Sequence, residues 1–286
     1  MTLASIQWDI DVLARSSIIH RDDYTAAGTD TFTLFRREKI VTPTGDILRV
    51  PIVSGGSFRG LLRRIGEELT ATVLNYETRL PVAAAHLMTN GGRLAKAAQR
   101  LTDEQERHLK DLLPQVAVFG GAVSGRIMSG LLTVGKVLPE FAELAHILSR
   151  TPSSPVVAVL GTAEESFTHL NDQRPTANHP PHSDSADETS PLGRFGVETL
   201  PAGTRLQTWV RIDHATPTQV AFLRDVLTVF AERGHLGGRA AAGHGRITAT
   251  MHATFFRGQL PDDRTDWAAE LAEHRDEAIA ALSQLT

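Results

Sequence analysis

The order of hydrophobic patterns along the chain limits its fold more than any other feature. Apolar residues alternate at period two over residues 3–14, which predicts a half-buried strand. The remaining patterns predict a helix after Ser57, strands within 116–138 and at 204–213, a helix between Thr216 and Gly234, and a strand at 246–256. Without its insertions, the chain therefore has the order strand, helix, two strands, helix, strand.

This order is that of the split βαβ, or ferredoxin-like, arrangement. We expect an α+β protein, a single domain over residues 1–286, with a ferredoxin-like (RRM-like) palm. Residues 79–115 are rich in alanine and leucine and predict a helical insertion, and residues 262–286 predict a C-terminal helix. Residues 163–198 are rich in proline and polar residues, cannot bury much apolar surface, and predict a long, flexible hairpin that protrudes like a thumb.

Composition excludes several classes of protein. The chain has no cysteine, so it has no disulfide, thiolate metal site or cysteine nucleophile, which fits a cytoplasmic protein. No apolar run approaches the roughly 20 residues that span a bilayer, so we expect no membrane partner. The net charge of -4 and pI near 6.3 differ from the pI above about 9 typical of nucleic-acid-binding domains. Positive charge is nevertheless concentrated: residues 49–64 hold four arginines and no acid, and residues 231–257 hold four arginines and one acid.

Two glycine–arginine loops lie within these basic stretches. The first contains Ser54-Gly55-Gly56-Ser57-Phe58-Arg59-Gly60 with Arg63 and Arg64 after it, and the second contains Gly237-Gly238-Arg239 and Gly243-His244-Gly245-Arg246. Glycine lets backbone N–H groups approach a ligand, arginine presents a planar fork to phosphate, and a helix N-terminus attracts anions. Two such loops suggest a repeating polyanion, and we expect RNA.

The candidate RNA-binding residues come mainly from these loops. They are Ser54, Gly55, Gly56, Ser57, Arg59, Arg63, Gly237, Gly238, Arg239, Gly243, His244 and Arg246, together with Arg126 on a predicted strand. For Arg64 the sequence leaves contact with RNA undecided. Aromatic residues make up only 6% of the chain, which argues against a broad stacking platform. Neither loop has the spacing of a nucleotide-binding fingerprint, and His179 and His182 have no third ligand at a recognisable spacing, so we expect neither cofactor nor metal.

Several segments resemble the RAMP superfamily of CRISPR effector proteins, specifically a backbone subunit that coats guide RNA. The segment from Val50 to Arg63 resembles the element that opens the family's first helix, and Phe119-Gly120-Gly121 resembles its central turn. Residues 174–211 resemble the return arm of the family's thumb hairpin, and residues 237–246 its C-terminal glycine-rich loop. The short chain and Ser54-Gly55-Gly56 are most similar to type IV, plasmid-associated systems.

The resemblance implies a subunit that polymerises head to tail along one guide RNA (crRNA). Its expected partners are the crRNA, a target nucleic acid paired with the guide, other copies of itself and other CRISPR effector subunits. The thumb would push between bases, with Leu192 or Phe195 near its tip as the wedge, or these residues would fold the tip back. No catalytic role is expected.

Two alternatives remain. In RNA-cutting type III relatives an aspartate lies between the first strand and the first helix, and Asp30, Asp22 or Asp23 is placed to match it, so a metal-dependent endoribonuclease using Asp30 is the enzymatic alternative. A self-assembling structural protein without RNA is the other.

Overall fold

The computed structural model describes residues 3–22, 32–76, 80–94, 100–152, 161–170, 192–261 and 265–285. The strands are β1 (Ala4–Ala14), β2 (Phe32–Thr33), β3 (Arg37–Val41), β4 (Ile47–Pro51), β5 (Gly121–Val123), β6 (Arg126–Met128), β7 (Leu132–Val134), β8 (Leu138–Pro139), β9 (Ala163–Leu170), β10 (Leu192–Thr199), β11 (Arg205–Ala215) and β12 (Ile247–Arg257). The helices are α1 (Gly55–Leu74), α2 (Val82–Asn90), α3 (Asp103–Leu112), α4 (Pro114–Phe119), α5 (Pro217–Arg233), α6 (Trp267–Glu273) and α7 (Arg275–Ser283).

The central sheet has the strand order β12-β1-β11-β7, and every neighbouring pair is antiparallel. Helix α1 lies between β1 and β7 in the chain, and α5 lies between β11 and β12. The order strand, helix, two strands, helix, strand is therefore present as predicted. Mixed α+β structure, with several small sheets around the central one, is also as expected.

Helices α1 and α5 pack together over the core. Phe58 of α1 and Phe230 of α5 are fully buried and meet edge to face, with ring centroids 5.5 Å apart. Ile6 and Ile10, which alternate along β1, are also fully buried. This layer fixes the N-terminus of α1 and the chain that follows α5 relative to the same sheet.

The opposite face of the sheet is polar and partly covered. Arg150 donates to Asp11 at 2.5 Å and to the carbonyl oxygen of Ile10, and Gln207 donates to Glu140 and to the Arg150 carbonyl. Asp9 of β1 is paired with Arg150 as well, at 3.5 Å. Part of this face is therefore occupied by a network of ion pairs and hydrogen bonds within the protein.

The caps of both major helices follow from the sequence. Ser54 caps α1, and its hydroxyl accepts from the Ser57 amide, so α1 begins at Gly55 rather than after Ser57. Thr216 and Gln219 form a capping box at the start of α5, with Pro217 at the first helical position. Gly234 ends α5 in the left-handed conformation, as expected.

Three element predictions need correction. Residues 114–119, partly assigned to a strand pair beginning near 116, form α4, because Pro114 opens a helical turn whose every residue is buried. The single C-terminal helix is divided at His274 into α6 and α7. Residues 163–198 form a hairpin as predicted, but its described arms are the paired strands β9 and β10, whereas the sequence placed the flanking strands outside this segment.

In the described part of the chain, no helix has the length and apolar character needed to cross a bilayer.

Candidate nucleic-acid interface

Both glycine–arginine loops border one cleft of about 640 Å³. Helix α1 contributes Ser57, Gly60, Leu61 and Arg64; the chain after α5 contributes Leu236, Gly237, Gly238 and Arg239; and the segment after β1 contributes Ile19, His20 and Arg21. The loops are far apart in sequence, and they meet because α1 and α5 lie side by side. The two loops therefore converge on one cleft.

The cleft carries concentrated positive charge. Arg21, Arg64 and Arg239 line it with exposed side chains, and its described lining contains no Asp or Glu. The Arg64 side chain makes no hydrogen bond or ion pair with any residue that the structure describes. In a chain of net charge -4, three arginines without a lining carboxylate make a local site for an anion.

The N-terminus of α1 lies at the edge of the cleft. Its first turn contains Gly55, Gly56 and Ser57 and no acidic residue, and the amides of Gly55 and Gly56 have no acceptor among the described residues. A Cβ on Gly56 or Gly60 would meet nothing within 4 Å, so folding of the described chain does not require glycine at either position. Unpaired amides at a helix start suit a phosphate.

His20 holds this helix start in place. The backbone N–H of Ser54 donates to Nε2 of His20 at 3.1 Å, and the imidazole meets Phe35 edge to face. The segment after β1, which lines the cleft, is thus joined directly to the residue that caps α1.

Arg59 and Arg63 have other partners than the expected phosphate. Arg63 is 7% exposed and donates to the carbonyl oxygens of Phe119 at 2.7 Å, Gly120 at 2.9 Å and Leu87 at 3.3 Å. Arg59 donates to the Phe119 and Leu132 carbonyls. Burial, aided by the neighbouring Arg59 charge, lowers the pKa of Arg63 to about 10, and burial lowers the pKa of Arg59. Both guanidinium groups attach α1 to the Phe119-Gly120-Gly121 turn, so we do not include them in the interface.

The second loop uses glycine mainly for its shape. Gly237 has a φ of 92°, and a Cβ there would lie 2.5 Å from the Ile19 carbonyl oxygen. The Gly238 amide donates to Ile19, and the Gly245 amide to Ser17. These hydrogen bonds fix the loop beside the segment after β1. The described amides of Gly238 and Gly245 are therefore occupied, and the loop's contribution to the cleft is chiefly the Arg239 side chain.

Gly243, His244 and Arg246 lie outside the described lining of the cleft. Gly243, with a φ of 88°, ends the short turn Ala240–Ala242. Nδ1 of His244 lies 2.9 Å from the Ser17 hydroxyl and 3.8 Å from Glu165 of β9. Arg246 is exposed at the start of β12, and its amide donates to Ser16.

Arg126 is also away from the cleft. It pairs with Glu106 of α3 and with Asp103 at 2.7 Å. Burial alone would raise the pKa of Glu106, but hydrogen bonds from Lys110 and Arg126 outweigh it and lower that pKa. The hydrogen bonds with Glu106 and Asp103 raise the pKa of Arg126. Its partners are those of a structural ion pair.

The hairpin begins at the edge of the cleft. Phe195 faces Phe167 across the β9–β10 pair, their rings stack with centroids 5.6 Å apart, and the Arg239 guanidinium lies over Phe167. Phe195 is therefore in the paired strands and not near the tip, where the sequence placed it. Leu192 begins β10 opposite Leu170.

The candidates for metal chemistry lie largely beyond the described residues. Asp30, Asp23, His179 and His182 are all outside them, whereas Asp22 is inside and its amide donates to the Leu34 carbonyl. Within the described ranges, no three His, Asp or Glu side chains are placed to hold a metal ion.

Helical spacing identifies Arg64, the open case of the sequence, as a cleft residue. One face of α1 carries Ser57 and the residues three, four and seven positions after it, which are Gly60, Leu61 and Arg64. Arg59 and Arg63, four positions apart, belong to another face of α1. Arg21 could not be identified from the sequence in this way, because it lies between strands, where helical spacing does not apply.

A family model described as "RAMPs: RAMP superfamily" matches residues 25–248. The chain belongs to the RAMP superfamily. This family implies a ferredoxin-like core, with which the observed element order agrees. Among solved structures, a chain from a "Type IV-B CRISPR Complex" is 52% identical, with a TM-score of 0.65, and the match covers 93% of this RAMP protein and 99% of that chain. The curated proteins contain no match. The resemblance to the RAMP superfamily and the similarity to type IV systems, both inferred from the motifs, are confirmed.

Proposed function

We propose that this RAMP protein is a non-catalytic subunit of a type IV CRISPR effector complex that binds guide RNA through its sugar-phosphate backbone. The observation that carries the proposal is the cleft that Arg21, Arg64 and Arg239 line together with Ser57 of the first turn of α1, without a carboxylate in its described lining. The similarity of this protein to a chain of a type IV-B CRISPR complex supports the proposal that it works within an effector complex.

Binding through phosphate explains how one site can accept any guide sequence. Arginine forks and helix amides contact phosphate oxygens, which are the same at every nucleotide, so base pairing alone selects the target. The acidic remainder of the surface limits the attraction of stray RNA. We propose that copies of the chain follow one another head to tail along the guide, with the β9–β10 hairpin as the thumb of a ferredoxin-like palm.

Salt-dependent RNA binding tests this function. The full-length protein is titrated into fluorescein-labelled single-stranded RNA at several salt concentrations, and anisotropy gives the affinity. We expect the Arg64→Ala/Arg239→Ala double variant to bind more weakly and to have a salt slope shallower by about 0.7 for each phosphate that it no longer neutralises.

A matched control separates the cleft from total charge. Arg205 and Arg257 are exposed and lie outside the cleft, so Arg205→Ala/Arg257→Ala removes the same charge. We expect its affinity to remain close to that of the unmodified protein. Equally weakened binding in both double variants would contradict a specific cleft, and RNA binding that salt does not weaken would contradict the proposed function.

A further inference from the structure

Arg239 is shared between the cleft and the hairpin. It lines the cleft, and its guanidinium carbon lies 4.0 Å from the centroid of the Phe167 ring on β9. We propose that Phe167 is a positioning residue for RNA binding: the ring supports the face of the Arg239 guanidinium, so that the edge of this group is presented to an RNA phosphate. The inference rests on the proposed function and deepens it, since it links the hairpin to the affinity of the cleft.

The loop imposes the backbone conformation of Arg239. The residue has a φ of 58° and a ψ of 39°, in the left-handed region that residues other than glycine adopt only where surrounding structure requires it. Its carbonyl oxygen accepts from the Ala242 amide at 3.0 Å and from the His244 amide at 3.4 Å. The starting direction of the side chain is thus set by the turn that follows it.

The hairpin fixes the position of Phe167, the partner of Arg239. Phe167 stacks on Phe195 with an interplanar angle of 17°, and the two are direct cross-strand partners. Glu165 is two residues before Phe167, on the same face of β9, and lies 3.8 Å from His244. The loop therefore contacts alternate residues of one strand through two different side chains, Arg239 and His244.

Guanidinium chemistry allows Arg239 to contact the ring and a phosphate at the same time. Its five N–H donors lie in the plane of the group, whereas a cation–π contact uses the face. A ring beneath the guanidinium leaves the in-plane donors available for a phosphate and reduces the freedom that binding would otherwise remove. A lysine ammonium has no separate face and edge, so it cannot serve both partners in this way.

A double-mutant cycle with the full-length protein and fluorescein-labelled single-stranded RNA tests the proposal. We expect Phe167→Leu to weaken binding by about threefold, the value of an exposed cation–π contact. Because Phe167 acts through Arg239, Arg239→Ala/Phe167→Leu should bind no more weakly than Arg239→Ala alone. Phe167→Tyr keeps the ring and should bind like the unmodified protein, whereas Arg239→Lys should not restore full affinity. Phe255→Leu, at an exposed ring on β12, is the matched control and should have no effect.

Hydrogen exchange of the RNA-free protein supplies an independent readout. We expect the amides of β9 and β10 to exchange faster in Arg239→Ala than in Arg257→Ala, because the contact between Arg239 and Phe167 is lost. Unchanged exchange would show that this contact does not hold the hairpin against the loop, which overturns the inference. Additive effects in the cycle would show that Phe167 contacts RNA by itself, which overturns the inference but leaves the proposed function intact. If the unmodified protein fails to bind RNA, the proposed function itself is wrong, and this inference falls with it.

Discussion

Arg63 and Arg64 are neighbours in α1, but Arg63 is buried against three carbonyl oxygens and Arg64 is exposed in the cleft. The two side chains differ in position by one residue, which is about 100° around the helix. This difference separates a residue that stabilises the fold from one that is available to a ligand.

Arg63→Ala is expected to lower the free energy of unfolding by about 3 kcal/mol, because it leaves buried carbonyl oxygens without donors and opens space in the interior. Urea denaturation followed by circular dichroism measures the change. Arg64→Ala is the matched control and should change stability by less than about 0.5 kcal/mol while weakening RNA binding about tenfold. The reverse pattern, a stable Arg63→Ala with weak RNA binding, would restore Arg63 to the interface.

Gly60→Ala should raise the stability of the protein while it weakens RNA binding. Gly60 lies inside α1 and lines the cleft, and a Cβ there meets nothing within 4 Å. Alanine favours the helix by up to about 1 kcal/mol, so we expect a higher thermal midpoint. We also expect weaker RNA binding, because the methyl group would keep the RNA backbone away from the helix. Gly66→Ala is the contrasting control: its Cβ would lie 2.9 Å from the Phe222 ring, so it should destabilise the protein. A Gly60→Ala variant with unchanged affinity would show that RNA does not approach α1 closely.

Arg126→Ala should give a pH-dependent loss of stability. The pKa of Glu106 is below its ordinary value of 4.5 in the folded protein, so the carboxylate stabilises the fold above that pH, and the stabilisation is lost as the pH falls through the folded pKa. Removing Arg126 takes away one of the hydrogen bonds that lower this pKa. The difference in thermal midpoint between the variant and the unmodified protein should therefore be larger at neutral pH than below the pKa that Glu106 has in the unfolded chain. RNA affinity should not change, and a clear loss would place Arg126 in the interface.

The non-catalytic proposal predicts that a target RNA stays intact. The complex of this protein with its partner subunits and guide is incubated with complementary RNA and Mg²⁺, and the products are separated by gel electrophoresis. Regularly spaced cuts that disappear in Asp30→Ala would instead establish the endoribonuclease alternative.

Much of the fold could be predicted because it depends on local patterns. Alternation in residues 3–14 and the Thr216–Gly234 caps identify β1 and α5 directly, and the order of elements then restricts the sheet. Residues 114–119 were more difficult, because a short, wholly buried apolar run has no periodicity that separates helix from strand.

The site was predicted at the level of loops and less well at the level of side chains. Glycine-rich composition identified both loops, but whether an arginine points into the interior depends on tertiary packing. Carbonyl oxygens at the Phe119-Gly120 turn, distant in sequence from α1, accept from Arg59 and Arg63. The cation–π pair of Arg239 and Phe167 likewise depends on how the hairpin lies against the loop.

An electron cryomicroscopy structure of the RNA-loaded assembly tests the central claim most directly. The account predicts RNA phosphates within hydrogen-bonding distance of the guanidinium groups of both Arg64 and Arg239, with the backbone passing over Gly56 and Gly60. An empty cleft, with the RNA bound instead to the sheet face of Asp9 and Asp11, would contradict it.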